Sequence, residues 1–511
     1  MSAAWRRVRL PRPSRGSCGA RLWEGPGSLP KRRLDLRILQ VIHQFPPYSS
    51  QGSEVYCDNL SRELARTEDV RVFHLSNVSR DWWRRLRRET VNGLATYHCV
   101  DGGKYARLAD WPNHFLRGSF RTVLSEFRPH IVHFHNFLSL GDDLVTLARA
   151  SGAVIVYTLH DYGLICPNAL LLRDDGVLCG KQHPDFFQNC CPVLIRTGGR
   201  GPGLPWRARL PSLARWQLYA RQHPRRSLRA LLIAVTGRAA RSLGDPRWAN
   251  LERKREFFLT HTRRIVRDVD RFLAPSEFLL QRYVSCGFPR HKMEFLRYGF
   301  RHFSSVRKND HRGVRFGYIG ALHPQKGVEL LLEAFRDLDD GASLHVFGSV
   351  FGSPISGKFW QRIKDRATSN VVLHGAYDNQ RVGQILAGLD VVVVPSVWYE
   401  NSPLTIQEAF IARVPVITAD AGGMAELVRD GVDGLHFRLG DAADLRAKLR
   451  LVAEHPEILE RLKDGIPPVL GIEEHTAALL ARYRDLRDRR ASDGQRLCAT
   501  RDRLLLHSKT R

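Results

Sequence analysis

The feature that most constrains this chain is a repeated rhythm of apolar run, turn and amphipathic helix. It starts with a β-rich run at 37–42, the turn Phe45-Pro46-Pro47, and a helix expected over roughly 53–66 with Val55, Leu60 and Leu64 on one stripe. Further strands are expected at 70–75, 130–135 and 153–159, with a helix at 142–150 after the second of them. The rhythm resumes at 314–319 and continues through 343–347, 371–374, 389–394, 415–419 and 434–437. Strands separated by helices pair in parallel. The run ending in Val391-Val392-Val393-Val394 suits a strand buried on both faces. Two such α/β halves, joined near 285–312, predict two domains across a cleft, with ligands at the carboxyl ends of the strands.

Charge and cysteine usage narrow the setting. With 79 basic and 52 acidic residues, the 511-residue chain carries a formal charge of +27 and is expected to face an anionic partner. Its longest apolar run near the middle, Leu231-Leu232-Ile233-Ala234-Val235, is far shorter than the ~20 residues of a membrane span. The N-terminus lacks the apolar core of a secretory signal. Nine cysteines, unevenly spaced, favour a reducing compartment, so a cytoplasmic protein is expected. Residues 1–36, rich in Pro and Arg, read as a disordered basic arm. The stretch 192–260 holds fifteen Arg or Lys against three acidic residues, with Trp206, Trp216 and Trp248 interleaved. It reads either as a solvated helical insertion or as a surface lying on anionic lipid at the cytoplasmic membrane face. No zinc-finger or RNP-type pattern accompanies the charge, so no specific nucleic-acid partner is expected.

The densest motif is 395–410, Pro-Ser-Val-Trp-Tyr-Glu-Asn-Ser-Pro-Leu-Thr-Ile-Gln-Glu-Ala-Phe. A buried strand ends at Val394, a loop carries Glu400, Ser402 is the expected N-cap and Pro403 the first helical residue. The N–H groups of that helix would face the strand ends, where a phosphate can bind. Glu400 and Glu408, eight apart, reach different parts of an extended ligand. They do not make the ~5 Å carboxylate pair of a retaining glycosidase, so no covalent nucleophile is expected.

The segment resembles the E-x7-E region of the retaining nucleotide-sugar glycosyltransferases of family 4. The resemblance continues through Phe316-Gly317-Tyr318-Ile319-Gly320, Lys326-Gly327-Val328, Gly422-Gly423-Met424-Ala425-Glu426-Leu427-Val428 and Asp430-Gly431-Val432-Asp433-Gly434-Leu435. Upstream, Ala274-Pro275-Ser276 and Tyr298-Gly299-Phe300 look like the family's interdomain passage. About 400 residues fit, from about 37 to about 490. The resemblance implies an α/β GT-B fold, two Rossmann-like domains facing across a cleft. It divides the chain into an acceptor domain at 37–285, carrying a cysteine-containing loop at 162–192 and the insertion at 192–260, and a nucleotide-sugar domain at 286–471. A crossover helix at 472–490 and a basic tail at 491–511 follow.

The same resemblance implies site roles. Glu400 would contact hydroxyls of the transferred sugar, and the backbone of Asn401, Ser402, Pro403 and Leu404 would approach sugar and diphosphate. Glu408 would take the ribose hydroxyls. Lys326 would neutralise the diphosphate as charge builds on the leaving group. His160 would approach the sugar, completing a catalytic set of His160, Glu400 and Lys326. Gly52 stands where the family has a glycine-rich loop over the phosphates. Many relatives place an arginine five residues before the lysine; here that position is Ala321, and His323 is a candidate substitute. His135 and Asp161, at strand ends, are the acceptor-side candidates, with His135 ranked above His133.

The expected activity is therefore retaining transfer of a sugar from a nucleotide-sugar to a glycan or lipid-linked acceptor, in polysaccharide or glycoconjugate synthesis. No metal ion or other cofactor is expected for the chemistry. Cys166, Cys179, Cys190 and Cys191 lie within 26 residues and are a candidate structural zinc set, with His183 as a substitute ligand, although they lack a C-x2-C pair. The rival reading is a non-catalytic GT-B-like nucleotide-sugar-binding or scaffold protein, which would also explain Ala321, although Glu400, Glu408 and Lys326 all remain. A nonhydrolysing sugar-nucleotide epimerase would share the architecture.

Overall fold

In the computed structural model, the described residues are 35–49, 51–76, 85–100, 114–136, 140–166, 169–172, 178–179, 246–303, 311–338, 341–350 and 356–508. The basic arm expected at 1–36, apart from its last two residues, lies outside them. So do most of the arginine-rich insertion, Cys190, Cys191, His183 and the last three residues of the tail.

The first half is built on an eight-stranded sheet: β1 (Arg37–Ile42), β2 (Asp69–Ser76), β3 (Arg85–Val91), β4 (Leu94–Val100), β5 (Ile131–Phe134), β6 (Val154–Thr158), β7 (Arg271–Ala274) and β8 (Met293–Phe295). Their spatial order is β3-β4-β2-β1-β5-β6-β7-β8, parallel throughout except for the antiparallel β3–β4 pair. Helices α1 (Gly52–Leu64), α2 (His114–Phe127), α3 (Asp142–Ala150), α4 (Pro246–Asp268) and α5 (Glu277–Ser285) connect the strands. The second half holds β9 (Val314–Ile319), β10 (Ala342–Phe347), β11 (Val371–Gly375), β12 (Val391–Val394), β13 (Val416–Ala419) and β14 (Gly434–Phe437) in the all-parallel order β11-β10-β9-β12-β13-β14. Its helices are α6 (Val328–Phe335), α7 (Ser356–Arg366), α8 (Val382–Ala387), α9 (Leu404–Ile411), α10 (Gly422–Leu427), α11 (Ala442–Glu454) and α12 (Ile458–Gly465); α13 (Ile472–Ser508) follows. This is the expected architecture of two α/β domains. All four residues of β12 are buried, as its unbroken valine run requires.

Four features differ from the sequence expectations. The β3–β4 hairpin was not expected; its turn is Asn92-Gly93 with φ of +52° and +80°, the left-handed pair of a tight two-residue hairpin. The first sheet does not end at 285, because β8 pairs with β7 through Phe272–Met293 and Ala274–Phe295. Folded chain begins before Arg37: Leu36 is fully buried with its N–H on Glu68 (2.8 Å), and Asp35 pairs with Arg484 and Arg487. Finally, α13 continues to Ser508, past the helix end expected at 490.

Two chain passages join the halves side by side. The Phe300 N–H donates to the Leu470 carbonyl (2.9 Å) and the Ile472 N–H to the Phe300 carbonyl (2.8 Å). Helix α13 then crosses back, burying Leu479, Leu480 and Tyr483 in the core that also contains Ile38, Tyr56 and Leu60 of the first half. Replacing Leu479, fully buried, by Ala is expected to cost about 2–5 kcal/mol through lost burial and the cavity left behind. A urea titration followed by circular dichroism should show the transition midpoint shifted downward.

Candidate functional site

The site forms where the carboxyl ends of both sheets meet. After β12 the chain enters a loop whose central side chain, Glu400, is only 5% exposed. A carboxylate removed from water needs donors. Glu400 Oε1 has three: Lys326 Nζ (2.7 Å), Ser396 Oγ (2.6 Å) and Trp398 Nε1 (2.9 Å). The lysine ammonium also lies 5.6 Å from the Trp398 ring centroid, over its face. Lys326 arrives there because the next residue is glycine. Gly327 has φ +73°, and a Cβ on it would sit 1.8 Å from the Pro395 carbonyl oxygen, so no larger residue permits this approach. The Val397 N–H donates to the Gln325 carbonyl (2.9 Å) and fixes the same contact. On the other side, Gly423 donates its N–H to the Glu400 carbonyl (2.8 Å).

Helix α9 begins one residue later than its sequence suggests. Pro403 occupies the N-cap with extended backbone (ψ 119°), so Ser402 does not cap the helix, and its buried Oγ has no hydrogen-bond partner. The first two N–H groups of α9, those of Leu404 and Thr405, have no intrahelical acceptor. Glu408 lies inside this helix, 9% exposed, and its carboxyl makes no hydrogen bond or ion pair among the described residues. Burial pushes it up to about 7. Ala321 accepts the Tyr318 hydroxyl on its carbonyl (2.8 Å) and brings no cation. His323, exposed, makes no side-chain hydrogen bond among the described residues.

The first half closes on this loop. Asn401 donates its Nδ2 to the Leu159 carbonyl (3.1 Å) and accepts the Ser276 hydroxyl on Oδ1 (2.9 Å). Tyr162 donates to the Tyr399 carbonyl (3.1 Å). Glu426 of α10 accepts the N–H groups of Glu277 and Phe278 (3.1 and 3.0 Å), at the positive end of α5. Gly52, at the start of α1, faces Leu404: a Cβ there would meet Leu404 Cδ1 at 3.6 Å. Gly52 thus lies beside Leu404, the first residue of α9. The Asn401 side chain, by contrast, is spent on joining the halves.

Behind the site runs a buried chain of rings. His160 Nδ1 accepts the Tyr298 hydroxyl (2.6 Å), His160 Nε2 meets His135 Nδ1 (3.2 Å), and His135 Nε2 meets Gln40 Oε1 (2.6 Å). One set of neutral tautomers satisfies all three bonds. Burial pushes His160 down to about 3 and His135 well below the usual imidazole range. Both nitrogens of His160 are therefore engaged by protein, and His135, fully buried, stands behind His160 and not on a ligand-facing surface. His133 shares its face, ring centroids 4.3 Å apart, and bonds Tyr483 (2.6 Å) and Thr158 (2.8 Å). Asp161 does not orient an imidazole. It accepts the Gly163 N–H (2.7 Å) and the Asn136 amide (3.2 Å) and shapes the loop after β6.

Among the described residues no group of three or more His, Cys, Asp or Glu is placed to hold a metal. Cys166 is buried and Cys179 half-buried, and the other two cysteines of the candidate zinc set lie outside the described residues. Sequence reasoning passed over His43 and Glu54, which meet at 3.2 Å between the end of β1 and the start of α1. Both are buried, and burial pushes His43 down to about 4 and Glu54 upward. A histidine directly after a strand and an acid in the next helix's first turn were the available signal.

Known proteins give the same picture. The model described as Glycosyltransferase Family 4 matches residues 50–243, and Glycosyl transferases group 1 matches 313–455. An uncharacterized glycosyltransferase of Methanocaldococcus jannaschii is 28% identical over 29% of this chain and 40% of its own length. The lipopolysaccharide 1,2-N-acetylglucosaminetransferase of Salmonella typhimurium is 30% identical over 24% of this chain and 34% of its own length. The chain thus spans well under half of either relative. The crystal structure of Anabaena HepE in complex with UDP and glucose superposes with a TM-score of 0.56 at 12% identity, covering 88% of this chain and 99% of that one. That likeness carries the two-domain fold.

Replacing Asn401 by Ala would leave the buried Leu159 carbonyl and the Ser276 O–H without their partners, at about 1–3 kcal/mol each, while Ser276 Oγ still accepts the Leu279 N–H. Small-angle scattering is expected to show a larger radius of gyration for the variant, with a lower thermal midpoint. Unchanged values would mean that Asn401 does not hold the halves together.

Proposed function

The chain belongs to the group 1, or family 4, glycosyltransferases, and from that premise we propose that it moves a sugar from a nucleotide-sugar to a glycan or lipid-linked acceptor with retention of configuration. The observation that carries this reading is Glu408, a carboxyl buried at the cleft with no protein partner. Its oxygens are not sealed from solvent, so a pair of ribose hydroxyls can reach them and donate. The diphosphate then lies over the N-terminus of α9 and beside Lys326, where amides and ammonium meet its charge. Glu400, fixed by Lys326, Ser396 and Trp398, keeps an oxygen for hydroxyls of the transferred sugar.

In this proposal the protein supplies position and charge, not a nucleophile. The acceptor hydroxyl approaches the anomeric carbon from the side of the leaving group. Its oxygen bonds to that carbon as the bond to the phosphate oxygen breaks, and the departing diphosphate takes the hydroxyl proton. Lys326 balances the negative charge that accumulates. His160, with both nitrogens occupied, acts through the placement of its ring beside the sugar. No described helix is long and apolar enough to cross a membrane. The charge of +27 supports work at an anionic surface, where a lipid-linked acceptor for polysaccharide or glycoconjugate synthesis would be met. The rival reading, a nucleotide-sugar-binding scaffold without turnover, has Ala321 in its favour.

A panel of UDP-, GDP-, ADP- and TDP-sugars separates the two. Binding of one donor with slow hydrolysis that Glu400→Ala abolishes is the expected outcome. Binding without hydrolysis in the wild type would favour the scaffold. A pH series tests the carrying observation. Hydroxyls donate to the ionised carboxyl, so donor binding needs Glu408 deprotonated. With the free protein's group at about 7, affinity should be full above that pH and fall as pH drops through it. The fall approaches about tenfold per unit well below it, since binding is linked to loss of one proton. In Glu408→Gln, calorimetry should find weaker binding and no such slope.

A further inference from the structure

A second cavity lies at the opposite end of the first sheet, under the amino ends of β1, β5 and β6. It has a volume of about 870 Å3, within the usual range for small-ligand sites. Its polar lining includes Arg37, Arg121, Arg128, His130, Arg487 and Arg490, drawn from β1, α2, the turn before β5 and the crossover helix α13. No acidic residue lines it. Leu124, Leu147 and Val154 give it an apolar floor.

The charges there are only partly matched. Arg487 pairs with Asp35 (3.0 Å) and Arg490 with Asp270 (3.2 Å). Arg37 faces the Asp69 carboxylate across the β1–β2 ladder and places its Nε on the Arg128 carbonyl (2.8 Å), whereas Arg121 and Arg128 have no carboxylate within ion-pair distance among the described residues. Two uncompensated guanidinium groups, with Arg37 between them and Asp69, leave the hollow cationic and attract an anion. A second observation points the same way. Arg128 has φ +48°, a left-handed conformation that glycine adopts without the penalty. The backbone there suits glycine, yet the chain carries a cation at the cavity rim.

We propose that this cavity is a binding site for a phosphate monoester on an organic body, separate from the cleft. Guanidinium forks match phosphate oxygens by paired charge-assisted hydrogen bonds, and the apolar floor takes the body. The site is about 20 Å from the cleft, the length of the six-residue strand β1, so its ligand is not the group transferred there. The ligand ties α13 to the first sheet. That helix carries Tyr483, bonded to His133, and His475, bonded to Tyr56 (2.8 Å), so the tie reaches the rings behind the cleft. The phosphate ester is either a free metabolite or a lipid headgroup.

Calorimetry of the full chain with glycerol phosphate tests the proposal. Binding is expected in the wild type and equally in Lys326→Ala, which alters only the cleft. The double variant Arg121→Gln, Arg128→Gly should bind at least tenfold more weakly, and Arg121→Glu alone, a charge reversal on an exposed helix position, at least fivefold. Cosedimentation with phosphatidylcholine vesicles, with and without phosphatidic acid, assigns the source. Retention by phosphatidic acid that the double variant loses identifies a lipid headgroup, and soluble binding without retention identifies a free ester. The proposal is overturned by any of three results: neither probe binds, both variants bind as the wild type does, or Lys326→Ala abolishes binding.

Discussion

The rest of the site depends on one ion pair, Lys326 with Glu400, joining loops 74 residues apart in sequence. A carboxylate as buried as Glu400 is tolerable only if its donors are fixed. The chain fixes them by close backbone approach. Gly327 lets the lysine loop touch Pro395, and Gly423 lets the next loop lie against Asn401. With Glu400 immobile, its neighbours are placed too. Asn401 is turned toward the first half, Ser402 is left with a free hydroxyl, and α9 starts with open amides. The features that a diphosphate sugar would use therefore follow from the geometry that keeps one carboxylate paired.

The halves are joined by polar bonds at the cleft and by rings behind it. His133, His135 and His160 come from neighbouring strand ends, and Tyr56, Tyr298 and Tyr483 reach them from α1, the passage and the crossover helix. Their neutral state matters. A proton on any of these rings would leave a charge without a counterion in a space with little water, so burial holds their pKa values low. Within the neutral range the network is a rigid backing for the surface of His160. It is also a mechanical link, since Tyr483 lies one turn from Arg487 on the helix that spans both halves.

Much of this was legible from residues near each other in sequence. The strand runs of both halves and the helix at Asp142–Ala150 follow from periodicity, whereas Lys326 is brought to the site by the family resemblance and its contact with Glu400 by the fold. What escaped depends on contacts distant in sequence or on subtle local signals. The charged strand Arg85–Val91 has too few apolar residues to announce itself, and its one local signal, the Asn92-Gly93 turn, went unused. The short strand β8 is recognisable through its pairing with β7, not through its three residues. The cap of α9 moved to Pro403 because the loop before it is fixed by Glu400. His135 was placed near an acceptor by its position at a strand end, but Gln40 and His160 hold it inside. Asn401 offered no sign that its side chain would serve the domain contact.

The account makes Glu400 a positioning group on the face where the leaving group departs, with no residue forming a bond to the sugar. The most direct test is the configuration of the sugar first released from an accepted donor, followed by proton NMR before mutarotation. The account predicts that the released anomer keeps the donor's configuration. Release of the opposite anomer would contradict it, because water would then have attacked from the far side, away from the geometry that Lys326 and Glu400 define.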